Sequence, residues 1–191
     1  MTPFQLHVQR WSNCTRCSYH RGRQNVVLAR GVLPCTVLII GEGPGASEDI
    51  LGQPFKGPAG NLLQNIVDAS LGGVRWAMTN IVACVPNEDG IKIGPPDHEQ
   101  CRACAPRLQE LVDMANPRLV VAVGDVAETW LDQGMKHRSA TFKRGVKSVV
   151  IEHPSHMLRK NEMMKTLAAQ RATVQIRTAV EDLDARPTEQ I

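Results

Sequence analysis

Four short, continuous apolar runs punctuate this 191-residue chain, at residues 35–40, 76–82, 119–123 and 146–151. Runs of this length that are rich in β-branched residues are typical of parallel strands buried on both faces. Segments with helical periodicity lie between them, and a helix-favouring segment follows at 162–185. The alternation predicts an α/β protein, a three-layer α/β/α sandwich with a central, mostly parallel four-stranded sheet.

Length and composition limit the organisation of the chain. A chain of 191 residues that is 42% hydrophobic can bury one proper core, so we expect a single domain over 1–191, with its core at about 10–160 and a C-terminal helix at about 162–185. The net charge of +3 requires any polyanionic partner to meet a local basic patch. With no apolar leader and no run of roughly 18 apolar residues, we expect a cytoplasmic, intracellular monomer.

Six cysteines are the strongest chemical signal in the sequence. In a reducing compartment these spacings favour metal ligands or buried apolar residues over disulfides. Four thiolates can hold either zinc or an iron-sulfur cluster, and the spacing alone does not choose between the two. Ordinary buried cysteines remain the alternative. The candidate ligands are Cys14, Cys17, Cys84 and Cys104, with Cys101 as the runner-up and Cys35 as a spare strand residue.

A glycine-rich turn, Gly41-Glu-Gly-Pro-Gly, follows the first apolar run directly. It lacks the lysine of a phosphate-binding Walker loop and the register of a dinucleotide site. Because it follows a buried strand, it lies where α/β proteins bind ligands. Its neighbouring acidic residues, Glu42, Glu48 and Asp49, are more typical of solvated loop carboxylates than of catalysts.

Three further residues from separate loops are candidates for the same edge of the sheet. Phe55 lies in a loop so rich in glycine and proline that it has little core to fill, which favours stacking on a planar ligand. Asn80 can either cap backbone groups or read the edge of a base. His153 follows the fourth run, and its convergence with Glu42 and Asn80 at one edge favours a binding or catalytic site there.

These residues lie within longer motifs that resemble a known family. The motifs are Cys14-Thr-Arg-Cys-Ser-Tyr-His, Gly41-Glu-Gly-Pro-Gly-Ala-Ser-Glu-Asp, Gly52-Gln-Pro-Phe-Lys-Gly-Pro-Ala-Gly-Asn-Leu-Leu, Thr79-Asn-Ile-Val-Ala-Cys and His153-Pro-Ser-His-Met-Leu-Arg. In this order, and over about residues 14–160, they resemble the family 4, iron-sulfur uracil-DNA glycosylases. The resemblance implies a monofunctional DNA repair enzyme of base excision repair, which flips uracil out of DNA and hydrolyses its N-glycosidic bond to leave an abasic site.

The resemblance also implies roles for individual residues. Cys14, Cys17, Cys84 and Cys104 would hold a 4Fe-4S cluster of mainly architectural function. His153 would donate to the departing base, and Glu42 would help to place the attacking water. The base would be bound by Gly41, Gly43, Phe55 and Asn80, and the DNA by Ser155, Leu158, Arg159 and Lys160.

Some positions depart from the family pattern, namely Gly43, Lys56 and Glu152. Glu152 precedes His153 directly, and a carboxylate there is expected to raise the histidine pKa or to turn the ring. The departures leave alternatives open for the substrate and the activity. One is a glycosylase-fold iron-sulfur protein that acts on another modified pyrimidine, another is a non-catalytic DNA-binding relative, and a third is a zinc-stapled α/β protein unrelated to DNA.

Overall fold

The computed structural model describes residues 1–87, 94–136 and 145–185, and in this part of the chain five strands form one sheet. β2, β3, β4 and β5 run parallel, whereas β1 pairs with β3 in the antiparallel sense. The order across the sheet is β1-β3-β2-β4-β5. The strands are β1 (Ala29–Gly31), β2 (Val37–Gly41), β3 (Trp76–Asn80), β4 (Leu119–Val123) and β5 (Lys147–Ile151).

The four predicted strands are confirmed as β2 to β5, and β1 is an addition to the predicted four-stranded sheet. β1 has only three residues, Ala-Arg-Gly, and shows neither an apolar run nor an alternating pattern. Its strand conformation comes from pairing, because Ala29 lies opposite Thr79 and Gly31 opposite Ala77 of β3. A strand whose conformation depends on pairing with a neighbouring strand need not show a strand pattern in its own sequence.

Helices cover both faces of the sheet, and none of those in the described ranges is both long and apolar enough to cross a membrane. A short 3₁₀ helix, Ser18–Arg21, lies between the first helix and β1. The α-helices are α1 (Pro3–Trp11), α2 (Ala46–Leu51), α3 (Pro58–Leu71), α4 (His98–Ala115), α5 (Asp125–Lys136), α6 (Pro154–Leu158) and α7 (Glu162–Asp184).

Alternate residues of the central strands face opposite helix layers, which explains why the strands read as continuous apolar runs. Val37 and Ile39 of β2 belong to a buried cluster with residues of α3, α6 and α7. Leu38 and Ile40 belong to a second cluster with residues of α4 and α5. Because successive side chains of a strand point to opposite faces, both faces need apolar residues. The three-layer α/β/α fold class is therefore confirmed.

The strand order reverses at the carboxyl end of β2. From β2 the chain passes to β3 on one side, and from β3 it crosses over to β4 on the other side of β2. Parallel sheets open a crevice at such a switch point, and ligands bind there. The turn Gly41-Glu-Gly-Pro-Gly begins at this position.

Candidate active site

A cavity of about 560 Å³ opens at this carboxyl edge. Its walls come from the loops that follow β2, β3, β4 and β5, and from the loop between α2 and α3. The structure therefore brings the separate candidate residues together in one cavity. Those that line it are Glu42, Gly43, Phe55, Asn80, His153 and Ser155.

His153 caps the N-terminus of α6 and lines the cavity. The backbone N–H of Ser155 donates to its Nδ1 over 3.2 Å, and Ser155 Oγ lies 2.8 Å from the same nitrogen. Because a backbone N–H can only donate, Nδ1 is an acceptor, which assigns the proton of the neutral ring to Nε2. Gly124, at a φ of +85°, permits the close approach of this residue, since a Cβ there would stand 3.0 Å from Cβ of His153.

The surroundings of His153 also keep its ring neutral. Burial lowers the pKa of His153, and the positive potential of His156 and Arg159 lowers it further, against an opposing influence of Glu48. Glu152 points its carboxylate elsewhere, to Nζ of Lys160 at 2.6 Å. The expectation that Glu152 raises the histidine pKa is therefore wrong. At neutral pH the ring presents an uncharged Nε2–H donor.

Phe55 is held in an unusual backbone conformation. Its φ is +56°, in the left-handed region that non-glycine residues rarely adopt. Gly60 leaves room for this backbone, because a Cβ at Gly60 would stand 2.1 Å from the carbonyl carbon of Phe55. Arg30 of β1 donates to the carbonyl oxygens of Pro54 at 2.7 Å and Phe55 at 3.3 Å. Strain maintained by this much surrounding structure is typical of binding sites.

The Phe55 ring serves the core and the cavity together. It is only 8% exposed and belongs to the buried cluster beneath β2, so the expectation that it has little core to fill is wrong. The ring also lines the cavity. A ring fixed on its core side presents its remaining surface in one orientation, as stacking on a planar ligand requires.

Asn80 ends β3 and is 2% exposed. Its side chain lines the cavity and makes no hydrogen bond to any residue of the described ranges. The capping role that the sequence left open is thus absent from this part of the chain. A buried amide without a protein partner is available to a ligand, since amide groups both donate and accept.

Glu42 and His156 both line the cavity and interact electrostatically. Burial raises the pKa of Glu42, and the positive potential of His156 lowers it. The His156 ring also lies 6.0 Å from the His153 ring, centroid to centroid. Glu42 is thus a half-buried acidic side chain that lines the cavity.

Glu48 and Asp49 accept hydrogen bonds from backbone N–H groups, so the interpretation of both as solvated loop carboxylates is wrong. Glu48 accepts from the backbone N–H of Gly45 at 3.0 Å, Lys56 at 3.0 Å and Gly57 at 2.9 Å, which fastens the glycine-rich turn to the Phe55 loop. Asp49 is 4% exposed and accepts from the backbone of residues 24 and 25. Carboxylates that receive several backbone N–H groups are well satisfied when buried.

The candidate DNA-binding residues lie beside His153, along α6 and just after it. Leu158 is 40% exposed, and Arg159 is exposed as well. Lys160 is only partly available, because its ammonium is paired with Glu152. Ser155 lines the cavity, and the other three follow it within five residues along the chain.

The four candidate thiols come from three separate segments. Cys14 and Cys17 lie between α1 and the 3₁₀ helix, Cys84 follows β3, and Cys104 lies within α4. The pKa of Cys84 is raised to about 11, mainly by burial, with Arg23 at 3.3 Å from its sulfur opposing the shift and the thiols of Cys104 and Cys17 adding to it. Burial also raises the pKa of Cys17, with additional influence from Cys104 and Cys14. The four thiols are thus close enough to interact electrostatically.

Cys101 and Cys35 are different. Burial raises the pKa of each thiol to about 11. Cys101 is influenced by Cys104 and lines a separate cavity of about 250 Å³ with Trp130, whereas Cys35 is buried just before β2. Among the described residues, no three His, Cys, Asp or Glu side chains lie close enough together to hold a single metal ion.

Sequence patterns gave no site role to Arg30, Arg107 or His156 and indicated a solvated carboxylate for Glu48, although all four support or line the cavity. A signal existed for Glu48, since it follows Gly45 by the three residues typical of a capping box. Arg107 follows Cys104 by one helical turn, which places both on one face of α4. Arg30 left no signal because it belongs to the short strand β1.

Fold and cavity together define an α/β protein with a cavity, lined by Phe55 and several polar side chains, at the switch point of a parallel sheet. The family model of the uracil DNA glycosylase superfamily matches residues 31–177, most of the chain. The chain therefore belongs to the uracil DNA glycosylase superfamily.

Similar curated proteins carry the name Type-4 uracil-DNA glycosylase. The one from Pyrobaculum aerophilum is 34% identical over 176 residues, which cover 82% of this chain and 87% of that protein. The one from Thermotoga maritima is 34% identical over 174 residues, or 84% of this chain and 87% of that protein. The crystal structure of wild-type Pedobacter heparinus SMUG2 shares the fold, with a TM-score of 0.59 at 14% identity, over 80% of this chain and 77% of that one.

Proposed function

We propose that this protein is a monofunctional uracil-DNA glycosylase that acts inside the cell in base excision repair. The observation that carries the proposal is the meeting of Phe55, Asn80 and His153 in one cavity at the switch point. An aromatic ring, a free amide and a neutral imidazole are the groups that bind a flat base with polar edges. Membership of the superfamily and the names of the relatives support uracil as that base.

The reaction breaks the bond between the base and the sugar. The bonding electron pair moves to N1 of uracil, whose charge spreads to O2, while the sugar becomes oxocarbenium-like. Water then bonds to C1′ of the sugar and gives up a proton, a proton is taken up by the uracil anion, and the products are an abasic site and neutral uracil. Catalysis therefore needs donors toward the departing base and a placed water, and it needs no covalent nucleophile.

His153 is the donor toward O2 in this mechanism. Its Nδ1 accepts from the Ser155 backbone, so Nε2 carries the proton that can face the base. The lowered pKa keeps this donor neutral. A fixed donor aimed at developing negative charge lowers the barrier without reorganisation during the reaction.

Phe55 and Asn80, which line the same cavity, recognise the base. Phe55 stacks on the ring, and the Asn80 amide pairs with its polar edge. Gly41 and Gly43 keep the floor free of side chains, since a Cβ at Gly43 would stand 2.9 Å from Val82 Cγ2. Glu42, whose carboxylate faces the same cavity, orients the attacking water.

The DNA lies along the rim beside α6. Flipping a nucleotide costs a few kcal/mol of stacking and pairing energy. Leu158 has the exposed apolar side chain that can fill the vacated space. Arg159 and Lys160 contact phosphates, and Ser155 fixes His153 from the same segment.

We also propose that Cys14, Cys17, Cys84 and Cys104 hold a 4Fe-4S cluster. Four thiolates suit either zinc or an iron-sulfur cluster, and the names of the Type-4 relatives support the cluster. Cys104 influences both Cys17 and Cys84, which favours it over Cys101 as fourth ligand. When bound, the cluster supplies a rigid, charged crosslink between three segments.

Substitution of single cysteines tests the ligand set. Serine at Cys14, Cys17, Cys84 or Cys104 should sharply reduce iron, acid-labile sulfide and visible absorbance per protein. Cys35→Ser and Cys101→Ser are the matched controls and should retain all three. Full iron content in Cys104→Ser, together with loss in Cys101→Ser, would reverse the assignment of the fourth ligand.

An oligonucleotide assay tests the function itself. The purified protein is incubated with labelled strands that contain uracil or one of several modified pyrimidines, and alkali then cleaves at abasic sites. Scission at uracil, and its loss in His153→Ala, is the expected result. Scission only at another pyrimidine would assign the alternative substrate, and binding without scission at any base would assign a non-catalytic relative.

A further inference from the structure

Arg107 is the most deeply buried charged residue in the described part of the chain, at 2% exposure. It lies on α4, one turn after Cys104, and reaches across to the end of β3. Its Nη1 donates to Thr79 Oγ1 at 3.0 Å. Its Nη2 donates to the carbonyl oxygens of Asn80 at 2.7 Å and Ile81 at 2.6 Å. One guanidinium thus fixes three consecutive residues around the amide that faces the cavity.

The same Nη2 lies 3.5 Å from Sγ of Cys104. No carboxylate of the described residues lies within ion-pair distance of Arg107, and its buried Nε has no partner there. A buried guanidinium without a counter-charge is strongly unfavourable. Besides its three oxygen acceptors, Sγ of Cys104, a proposed cluster ligand, is the described atom that lies within hydrogen-bond distance of this guanidinium.

We propose that Arg107 is the positioning residue that couples the cysteine site to base recognition, because its guanidinium contacts the Cys104 sulfur and its donors fix the Asn80 end of β3. This inference rests on the proposed function for the role of Asn80. It gives the cysteine site a specific effect on the cavity, because a change at the Cys104 thiolate alters the partner of the group that holds Asn80.

The geometry requires arginine specifically. The two terminal nitrogens of Arg107 make different contacts: Nη1 donates to Thr79, and Nη2 contacts Asn80 and Cys104. A lysine ammonium keeps the charge beside Cys104 but has no rigid fork to hold the strand. Thr79 Oγ1 extends the restraint, because it donates onward to the Leu28 carbonyl at 2.7 Å and ties the β3 end to the segment before β1.

The test separates the two contacts of Arg107 by two measurements on purified holoprotein. The first is the single-turnover excision rate at saturating uracil-containing DNA, for Arg107→Gln in the wild-type and Asn80→Ala backgrounds. The second is the half-life of the visible absorbance during incubation with an iron chelator. Arg118→Gln is the matched control, since Arg118 also donates to a carbonyl, that of Leu183, but lies just before β4, at the end of the sheet opposite the cavity.

Arg107→Gln should slow excision about 100-fold in the wild-type background and less than about 3-fold once Asn80 is alanine. It should also shorten the absorbance half-life about tenfold, because a charge next to the thiolate is lost. Arg107→Lys should bleach like the wild type and still excise slowly. Arg118→Gln should match the wild type in both measurements.

Equal rate losses in both backgrounds would overturn the positioning role, and an unchanged half-life in Arg107→Gln would overturn the coupling to Cys104. If Arg107→Gln does not fold, Arg107→Lys decides the positioning role in the same two backgrounds. If the wild type releases no base at all, the proposed function fails, and the bleaching half-lives still decide whether Arg107 and Cys104 are coupled.

Discussion

The ring of Phe55 lies against the backbone of Gly41, so closely that a Cβ on Gly41 would stand 2.5 Å from Cζ of Phe55. The same Cβ would stand 2.5 Å from Oδ1 of Asn80. Gly41, at the end of β2, therefore lies between Phe55 and Asn80, two residues that line the cavity. Glycine is required there by space, since Gly41 has an ordinary negative φ.

Gly41→Ala should consequently disable the cavity. The added methyl group must displace Phe55 or Asn80, and misplacement by about 1 Å costs roughly 100-fold in rate. Single-turnover excision measures the effect. Gly94→Ala is the control, because Gly94 lines the cavity but a Cβ there would meet no atom of the described residues within 4 Å. Equal rates for the two variants would show that the Gly41 contact does not shape the site.

His153→Ala should reduce the single-turnover rate by about 10² to 10³-fold, the usual cost of one donor toward a developing anion. Substrate affinity should change far less, because the donor acts mainly on the leaving group. His98→Ala, at an exposed histidine on the first turn of α4, is the control and should excise normally. Comparable losses in both variants would remove His153 from its proposed role.

The pH dependence of excision should follow Glu42. Burial raises the pKa of its carboxyl, so the form that orients water is lost as the pH falls through this raised value. His156 lowers the pKa of Glu42, so His156→Asn should raise that pKa and move the acidic limb of the rate profile to higher pH. Glu42→Gln should be slow at every pH and lack this limb. An identical limb in the wild type and His156→Asn would contradict the pairing.

Salt dependence of DNA binding should report on the ion pair between Glu152 and Lys160. The two groups lie 2.6 Å apart, so the pair competes with phosphate for the ammonium. Glu152→Gln should free Lys160, tighten binding at low salt and steepen the logarithmic salt slope by about one unit. Glu162→Gln, which breaks an exposed pair with Lys165 on α7, is the control. Weaker binding by Glu152→Gln would place the phosphates elsewhere.

The fold was predictable because its main elements carry their own signals. β2 and β4 are apolar on both faces, and their burial against two helix layers leaves no other arrangement for such short runs. β1 was not predictable, because its three residues show no strand pattern and its strand conformation comes from pairing with β3. α2 and α6 were missed because helices of six and five residues have too few turns to show a period.

The cavity residues were predictable to the extent that strand ends determine position. Asn80 and His153 follow strands, and the topology alone brings them to one edge. Glu48 and Arg107 act through contacts with backbone atoms that are distant in sequence, such as the 3.0 Å bond to the Lys56 amide. Contacts of this kind depend on the completed fold, so a pattern of residue types does not reveal them.

A crystal structure of the protein with abasic DNA and free uracil is the decisive test of the proposed mode of uracil binding. It should show the uracil ring flat against Phe55, with O2 at hydrogen-bond distance from Nε2 of His153 and the opposite polar edge at the amide of Asn80. Uracil bound at any other surface, or in this cavity with O2 turned away from His153, would contradict the proposed mechanism.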